Sequence, residues 1–321
     1  MKSTSELTDF YYKTLYPTLE QLEKQRKNLK SKILKITFFY TLAFIIIIAI
    51  FLNNSNNIND IFIFGIAIYI GIGGIIYKLL IKDYTSDFKS QVIRPLIAAI
   101  DNNLSYTIDS HVPRSMFENS ELFKTKIDRL SGNDYVKGVI DDVNLQFSDI
   151  HAEQKHKNSK GQDNWSTIFK GLFIVAEFHK NFKGQTIILP DTAQKSFGNL
   201  IGSWLQSKNI SRDELVKMDD VEFEKKFVVY STNQIEARYI LSATLMKRLL
   251  IFQKRSKHPI YISFKGENIH IAIYYNKDLF EPSIFHSLLK YKIAIEYLST
   301  LQLAVGIVEE LKLNQKLWSK E

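Results

Sequence analysis

Between Ile36 and Leu52 the chain reads ITFFYTLAFIIIIAIFL, 17 residues without a charge. From Ile61 to Ile81 it reads IFIFGIAIYIGIGGIIYKLLI, where Lys78 is the only charge. At 1.5 Å per residue the first run spans about 26 Å as a helix, the short end for a bilayer crossing. Lys35 lengthens it by reaching back to the interface. The runs are separated by NNSNNIND, too short for a domain and free of Lys and Arg. Lys24, Arg26, Lys27, Lys30, Lys32 and Lys35 precede them, and Lys78, Lys82, Lys89 and Arg94 close or follow them. This asymmetry predicts a two-span hairpin with both termini cytoplasmic and the Asn-rich turn outside. The competing reading is a buried helical hairpin of a soluble protein. A cleaved leader is not expected, because 35 residues precede the first run and no small-x-small site follows it.

The rest of the chain constrains partners. The net charge is +8. Residues 1–94 carry 12 Lys and Arg against 7 Asp and Glu, whereas residues 95–321 carry 30 against 27. The basic excess therefore sits beside the apolar runs, where membrane lipid is the nearer partner and nucleic acid is not expected. The absence of cysteine excludes disulfides and cysteine-ligated metal sites. Neither span holds an acidic residue or a histidine, which argues against a pump or transporter. Ala67 and Gly71, four apart, with Gly73 and Gly74 beside them, form a set of small residues that lets another helix approach closely. It suits packing against the first span or, in a homo-oligomer, against a second copy.

Five regions are expected: an amphipathic cytoplasmic helix over 1–35, the transmembrane hairpin over 36–81, a helical linker over 82–130, an α+β cytoplasmic domain over 131–281, and a C-terminal helix over 282–321. In the first, Leu15, Leu19, Leu22, Arg26, Leu29 and Ile33 make one 4-3-4-3-4 seam that Arg26 interrupts. In the last, Ala294, Leu298, Leu301, Val305 and Val308 repeat the spacing, with Pro282 suited to a first turn. The domain between reads as a mainly antiparallel sheet with flanking helices, since strands and helices come in blocks. Asp141-Asp142 predicts one hairpin turn, and Lys265-Gly266-Glu267-Asn268 a second. Two strands are expected on either side of Gly184, and a helix over 192–208.

Chemistry is harder to find. Phosphate-binding loops, nucleophile elbows and zinc-protease motifs are absent. His151 and His156, with Glu153 between them, share a face on neither helix nor strand, so no metal site is expected, and no cofactor. His179 and His270 read as sheet histidines. FVVYSTNQIEARYIL (227–241) shows Ser231 and Gln234 in capping-box spacing, so the polar stretch reads as a helix start. The segment that follows is apolar all round, which predicts burial of Glu236 and Arg238 with partners supplied from elsewhere. Ser242 is expected to cap the next helix. No catalytic residue is assigned; Ser231, Glu236 and Arg238 are the candidate binding residues. The leading expectation is a non-enzymatic, membrane-anchored module that binds a protein or lipid partner. The alternative is a membrane-tethered, hydrolase-like enzyme with a cleft around Ser231 and Glu236.

Several segments carry a family resemblance: ENSELF, GNDYVKGVIDDVNLQFSDIHAE, FKGLFIVAEFHKNFKGQTIILPD, FVVYSTNQIEARYILSATLMKRLL and LFEP, preceded by two apolar spans. They resemble a bacterial family of membrane proteins defined only as a domain of unknown function. The chain departs from it at Ser242-Ala243, where Thr-Pro is expected. The resemblance implies a bacterial inner-membrane protein and no particular reaction. It also implies small membrane-anchored helical proteins as partners in the membrane.

Overall fold

The computed structural model describes residues 4–54, 58–157, 161–191, 214–311 and 313. Its contacts divide the chain into two units. One comprises Ser5–Leu96 and Glu281–Glu296; the other comprises Met1–Thr4, Ile97–Phe280 and Tyr297–Glu321.

The first unit is helical. Both apolar runs lie within long helices, Tyr16–Asn54 and Ile58–Phe88. Tyr40 and Tyr69 stack 4.7 Å apart at their centre. The Tyr40 hydroxyl donates to the Tyr69 carbonyl at 2.9 Å, and the hydroxyls of Thr41 and Tyr69 meet at 2.7 Å. Gly65 allows this approach, since a Cβ there would come within 2.9 Å of Ile48 Cδ1. Of the small residues, Gly73 joins the contact, for a Cβ there would sit 3.5 Å from Tyr40 Cε1. Nothing lies within 4 Å of a Cβ at Gly71 or Gly74. The aromatic stack sets the helix rotation, so that Gly73 packs against the first span while Gly71 and Gly74 face outward. Most apolar side chains of the pair are likewise uncovered: Phe38 is 64% exposed, Phe64 69% and Leu79 67%. The buried-hairpin reading therefore fails, and two helices remain that are long and apolar enough to cross a membrane.

Below the apolar runs the expected seam is buried at Leu15, Leu19, Leu22 and Ile33. Arg26 does not break it. Its guanidinium is buried against Glu23, with nitrogen–oxygen distances of 2.7 and 2.8 Å. Arg26 also donates to the Ile284 carbonyl at 2.5 Å, while Glu23 accepts the Leu288 N–H at 3.3 Å. Tyr11 donates to the Leu288 carbonyl, and Lys89, itself buried, pairs with Glu281 at 2.5 Å. These bonds explain one correction. The C-terminal helix was expected from Pro282 but begins at Tyr291. In a helix Leu288 N–H would bond to Ile284 O; here side chains hold both groups. The second long helix continues through a wide turn, Lys89–Ile93, in which Arg94 N–H bonds to Lys89 O. Pro95 follows directly and has no N–H to offer, which accounts for the local widening.

In the second unit seven strands are described, all paired antiparallel: β1 Ser105–Thr107, β2 Arg129–Ile140, β3 Val143–Lys157, β4 Asp163–Pro190, β5 Glu214–Val216, β6 Phe227–Ser231 and β7 Ile260–Tyr274. The order is β1-β2-β3-β4-β6-β5, with β7 on the other side of β4. This α+β architecture agrees with the sequence pattern. Asp141 and Asp142 have φ of 47° and 66° and form the expected β2–β3 turn. Two expectations are corrected. The segments around Gly184 are one strand, β4, and Lys265–Asn268 is not a hairpin turn but part of one strand, β7. These strands bend together, with register shifts between Glu177, Phe182 and Gln185, and Gly266 takes φ 59°. A bulge in a paired ribbon carries the same Gly and Asn signature as a turn. The helix expected over 192–208 lies outside the described residues. The core gathers Phe117, Ile150, Phe169, Phe173, Val175, Ile187 and Ala272. Near the end of the chain, Leu298, Leu301, Val305 and Val308 are buried as their spacing suggested.

Removing one member of the Glu23–Arg26 pair leaves the other charge buried and unpaired, at about 3–5 kcal/mol. Arg26→Ala in the full-length protein is expected to lower the melting temperature sharply. Glu23→Gln combined with Arg26→Met should recover much of the loss in the same thermal melt. Equal melting of the single and double variants would show that the pair does not hold this unit.

Candidate functional site

The shared bend of β4 and β7 opens a cleft of about 1160 Å³. Helix Arg114–Asn119 and the turn after it form one wall, where Glu121 adopts φ 50°. Phe182–Gln185 of β4 and residues Lys265, Gly266 and Asn268 of β7 form the other. Lys265 Nζ donates to Glu121 Oε1, tying the two sides. Gln185 Nε2 donates to the Ser120 carbonyl at 3.2 Å. Met116, Phe123, Val175 and Phe182 supply the apolar part of the lining.

A layer of buried polar side chains accompanies the bend: Ser120, Gln185, Thr186, Ser231, Ser263 and His270. His270 lines the cleft, is 4% exposed, and lies beside the Phe173 ring at 6.3 Å. Its Nδ1 has no hydrogen-bond partner among the described residues. Burial pushes its pKa from 6.5 to about 4; a hydrogen bond to the Ser263 backbone opposes the shift, and the charge of Lys265 adds to it.

Ser231 ends β6 and is buried. Its Oγ is shared among the Gln185 carbonyl at 2.9 Å, the Asn233 carbonyl at 3.0 Å and Thr186 Oγ1 at 3.0 Å, and it accepts the Asn233 N–H at 3.1 Å. It is not the N-cap. Asn233 caps helix Gln234–Ile240, its side chain accepting the Glu236 N–H. The strand holds Ser231 for its own pairing with β4, so the helix starts two residues later than the capping-box spacing suggests. Ser242 caps helix Ala243–Ser256 as expected.

The predicted burial of the IEAR segment is also corrected. Only Ala237 and Ile240 are buried, Arg238 is exposed, Ile235 is 84% exposed and Tyr239 58%. A seven-residue helix has two turns and can bury only one narrow stripe against the sheet. Glu236 is half-buried because it works as a clip. Its carboxylate accepts the backbone N–H of Lys183 at 3.1 Å and of Gly184 at 2.8 Å. Thr232 Oγ1 accepts the next one, from Gln185, at 2.8 Å. Three successive N–H groups of the bend are thus satisfied by side chains from the β6–helix junction. Gly184 makes the fit possible, for a Cβ there would sit 2.7 Å from Thr232 Oγ1 and 3.2 Å from Glu236 Oε2. Lys180 Nζ lies 3.8 Å from the centre of the Tyr239 ring. Ser231, Glu236 and Arg238 therefore do not converge: one points into the polar layer, one onto the bend, one to solvent. Glu121, Lys265 and His270 of the cleft were not singled out as site residues from sequence. In the sequence His270 reads as a sheet histidine and Lys265–Asn268 as a turn.

Ser231→Ala leaves buried partners unsatisfied, at about 1–3 kcal/mol, and Gly184→Ala forces the clip apart. Both should lower the melting temperature more than Glu236→Ala, and Arg238→Ala should leave it near wild type. A large loss in Arg238→Ala would refute the exposed placement of the helix. The His270 shift has a defined sign. The unfolded state gains a proton near pH 6.5 and the folded state only near 4, so stability falls across that window as pH drops, by about 3 kcal/mol in all. In His270→Phe, denaturant unfolding between pH 7 and 4 should show a shallower fall.

No curated protein sequence matches the chain. Among solved structures, the crystal structure of the mycobacterial trehalose monomycolate transport factor A aligns over 65% of this chain and 93% of its own, with 10% identity and a TM-score of 0.34. That score carries no argument about fold or function. The family comparison is more definite. It takes in most of β4, then β5, β6, β7 and the helices around and after them, and it leaves both long apolar helices outside. Residues 167–313 match the family described as a protein of unknown function, DUF3137.

Proposed function

We propose that this chain is a membrane-anchored module, not itself an enzyme, that presents a binding surface to a protein or lipid partner. The observation behind this reading is the apolar surface left uncovered along both long helices, where Phe38, Phe39, Phe64, Ile70 and Leu79 are each more than 60% exposed. Apolar area costs about 25 cal/mol per Å² in water, and a bilayer removes that cost. The basic flanks then orient the hairpin. Both termini lie in the cytoplasm of a bacterial cell, the turn at 53–60 lies outside, and the lysines before and after the spans meet anionic lipid. The outward faces of Gly71 and Gly74 offer a place for a second copy or a small membrane partner.

On this reading, Ser231, Glu236 and Arg238 serve one binding element in different ways. Ser231 and Glu236 fix the start of helix Gln234–Ile240 on the sheet; Arg238, with Ile235 and Tyr239, faces the partner. Tyr and Arg beside an exposed apolar residue are the side chains that carry most energy at protein interfaces.

Two measurements test the reading. Reporter fusions at residue 57 and at Glu321 should report opposite sides of the membrane, and the same side for both would refute the two-span anchor. A photo-crosslinking residue at Ile235 or Tyr239, in cells, should yield a discrete adduct that is absent when it is placed at Glu222. Equal adducts at all three positions would remove helix Gln234–Ile240 as the contact surface.

A further inference from the structure

We propose that residues 281–290, the strap fastened to the first long helix, lie in the headgroup layer of an anionic membrane, with the Phe285 ring among the lipids and Lys30 beside a lipid phosphate. The inference rests on the anchored-module reading and adds to it a membrane contact far in sequence from the two spans.

The strap is pinned. Arg26 donates to the Ile284 carbonyl at 2.5 Å, and Glu23 accepts the Leu288 N–H at 3.3 Å. Ser283 Oγ accepts the His286 N–H at 3.1 Å, which closes a tight turn around Phe285. Ile284 and Leu288 are buried, whereas Phe285 between them is 55% exposed. The ring stands next to Lys30, whose Nζ is 5.9 Å from its centre. The helices give the level of Lys30. Ile33 and Leu80 line one groove between them, so the two apolar runs end side by side. The stretch from Ile33 to Leu52 makes about 30 Å of helix, the thickness of a hydrocarbon core. Lys30 then lies about 4.5 Å outside that core, within a headgroup layer about 5–8 Å deep. Leu34 and Phe38, one and two turns on, are exposed as well, so Phe285 prolongs an apolar face that runs into the core. Lipid covers a ring that the protein leaves in water.

Charge selects the lipid. Residues 24–35 hold Lys24, Lys27, Lys30, Lys32 and Lys35 and no acid. Of the acids near this level, Glu23 is held by Arg26 and Glu281 by Lys89, which leaves Asp83 and Asp87 of the second helix. The excess of lysine favours an anionic headgroup.

The test uses the full-length protein in nanodiscs of phosphatidylglycerol and phosphatidylcholine in equal parts. Benzoylphenylalanine replaces Phe285, Phe38 or Tyr16, one at a time, and lipid adducts are read by mass spectrometry after illumination. Adducts should form at 38 and 285 and be absent at 16, which lies about 25 Å below Ile33 on the same helix. At 285 the share of phosphatidylglycerol should exceed that at 38, and Lys30→Gln should abolish the excess without changing the melting temperature. Adducts at 38 but not at 285 would overturn the proposal and leave the anchor standing. No adduct at 38 would remove the anchor itself, and the proposal with it. Adducts at all three positions would mean nonspecific adsorption and overturn it too. An equal share of phosphatidylglycerol at 285 and 38, or an excess unmoved by Lys30→Gln, would overturn the pairing of Lys30 with an anionic headgroup.

Discussion

Ile284 and Leu288 are four residues apart, the spacing at which a helix would join the carbonyl of one to the N–H of the other. Arg26 and Glu23 take one group each. The helical unit depends on this substitution. It keeps residues 281–290 out of helical form and fastens them to the first long helix by charge-assisted bonds. It also satisfies two ionised side chains where water is excluded. Arg26 looks like an error in an apolar seam only while its partners are unknown. With Glu23 one turn away and a carbonyl in reach, the guanidinium completes the seam.

The sheet unit uses the same device in a milder form. A bent strand exposes successive N–H groups that no neighbouring strand can pair. At 183–185 these are taken up by Glu236 and Thr232, both from the junction after β6. Thr232 and residues 183–185 also line the cleft, so the clip forms part of its wall. The segment that first reads as a buried helix with stranded charges is a brace: its glutamate holds backbone, Ala237 and Ile240 pack inward, and Ile235 and Tyr239 face outward.

Much of the fold is written in local patterns. The apolar runs, their basic flanks, the Asp141-Asp142 turn and the Ser242 cap all rest on neighbours in sequence, and all are found. What was misread depends on partners far along the chain. Lys265–Asn268 has turn composition because a bulge and a turn need the same positive-φ residues; only β4 lying alongside decides between them. Ser231 has cap spacing, but Gln185 and Thr186, more than forty positions earlier, claim its hydroxyl. Pro282 favours a helix start, yet Glu23 and Arg26 lie more than 250 positions away. The cleft was least legible, because its walls come from four separate segments and none carries a motif.

The placement of residues 281–296 has a consequence for how this protein can be dissected. The chain leaves the helical unit after Leu96, returns to it at Glu281, and leaves again after Glu296. The two long helices are therefore not joined to the rest of the chain by one linker. A fragment starting near residue 97 would still carry 281–296 but would lack Glu23, Arg26 and Lys89, and a strap built to be held would hang loose. The same threading limits exchange between relatives: a new pair of long apolar helices would have to arrive with the matching carboxylate and guanidinium, or with a new strap.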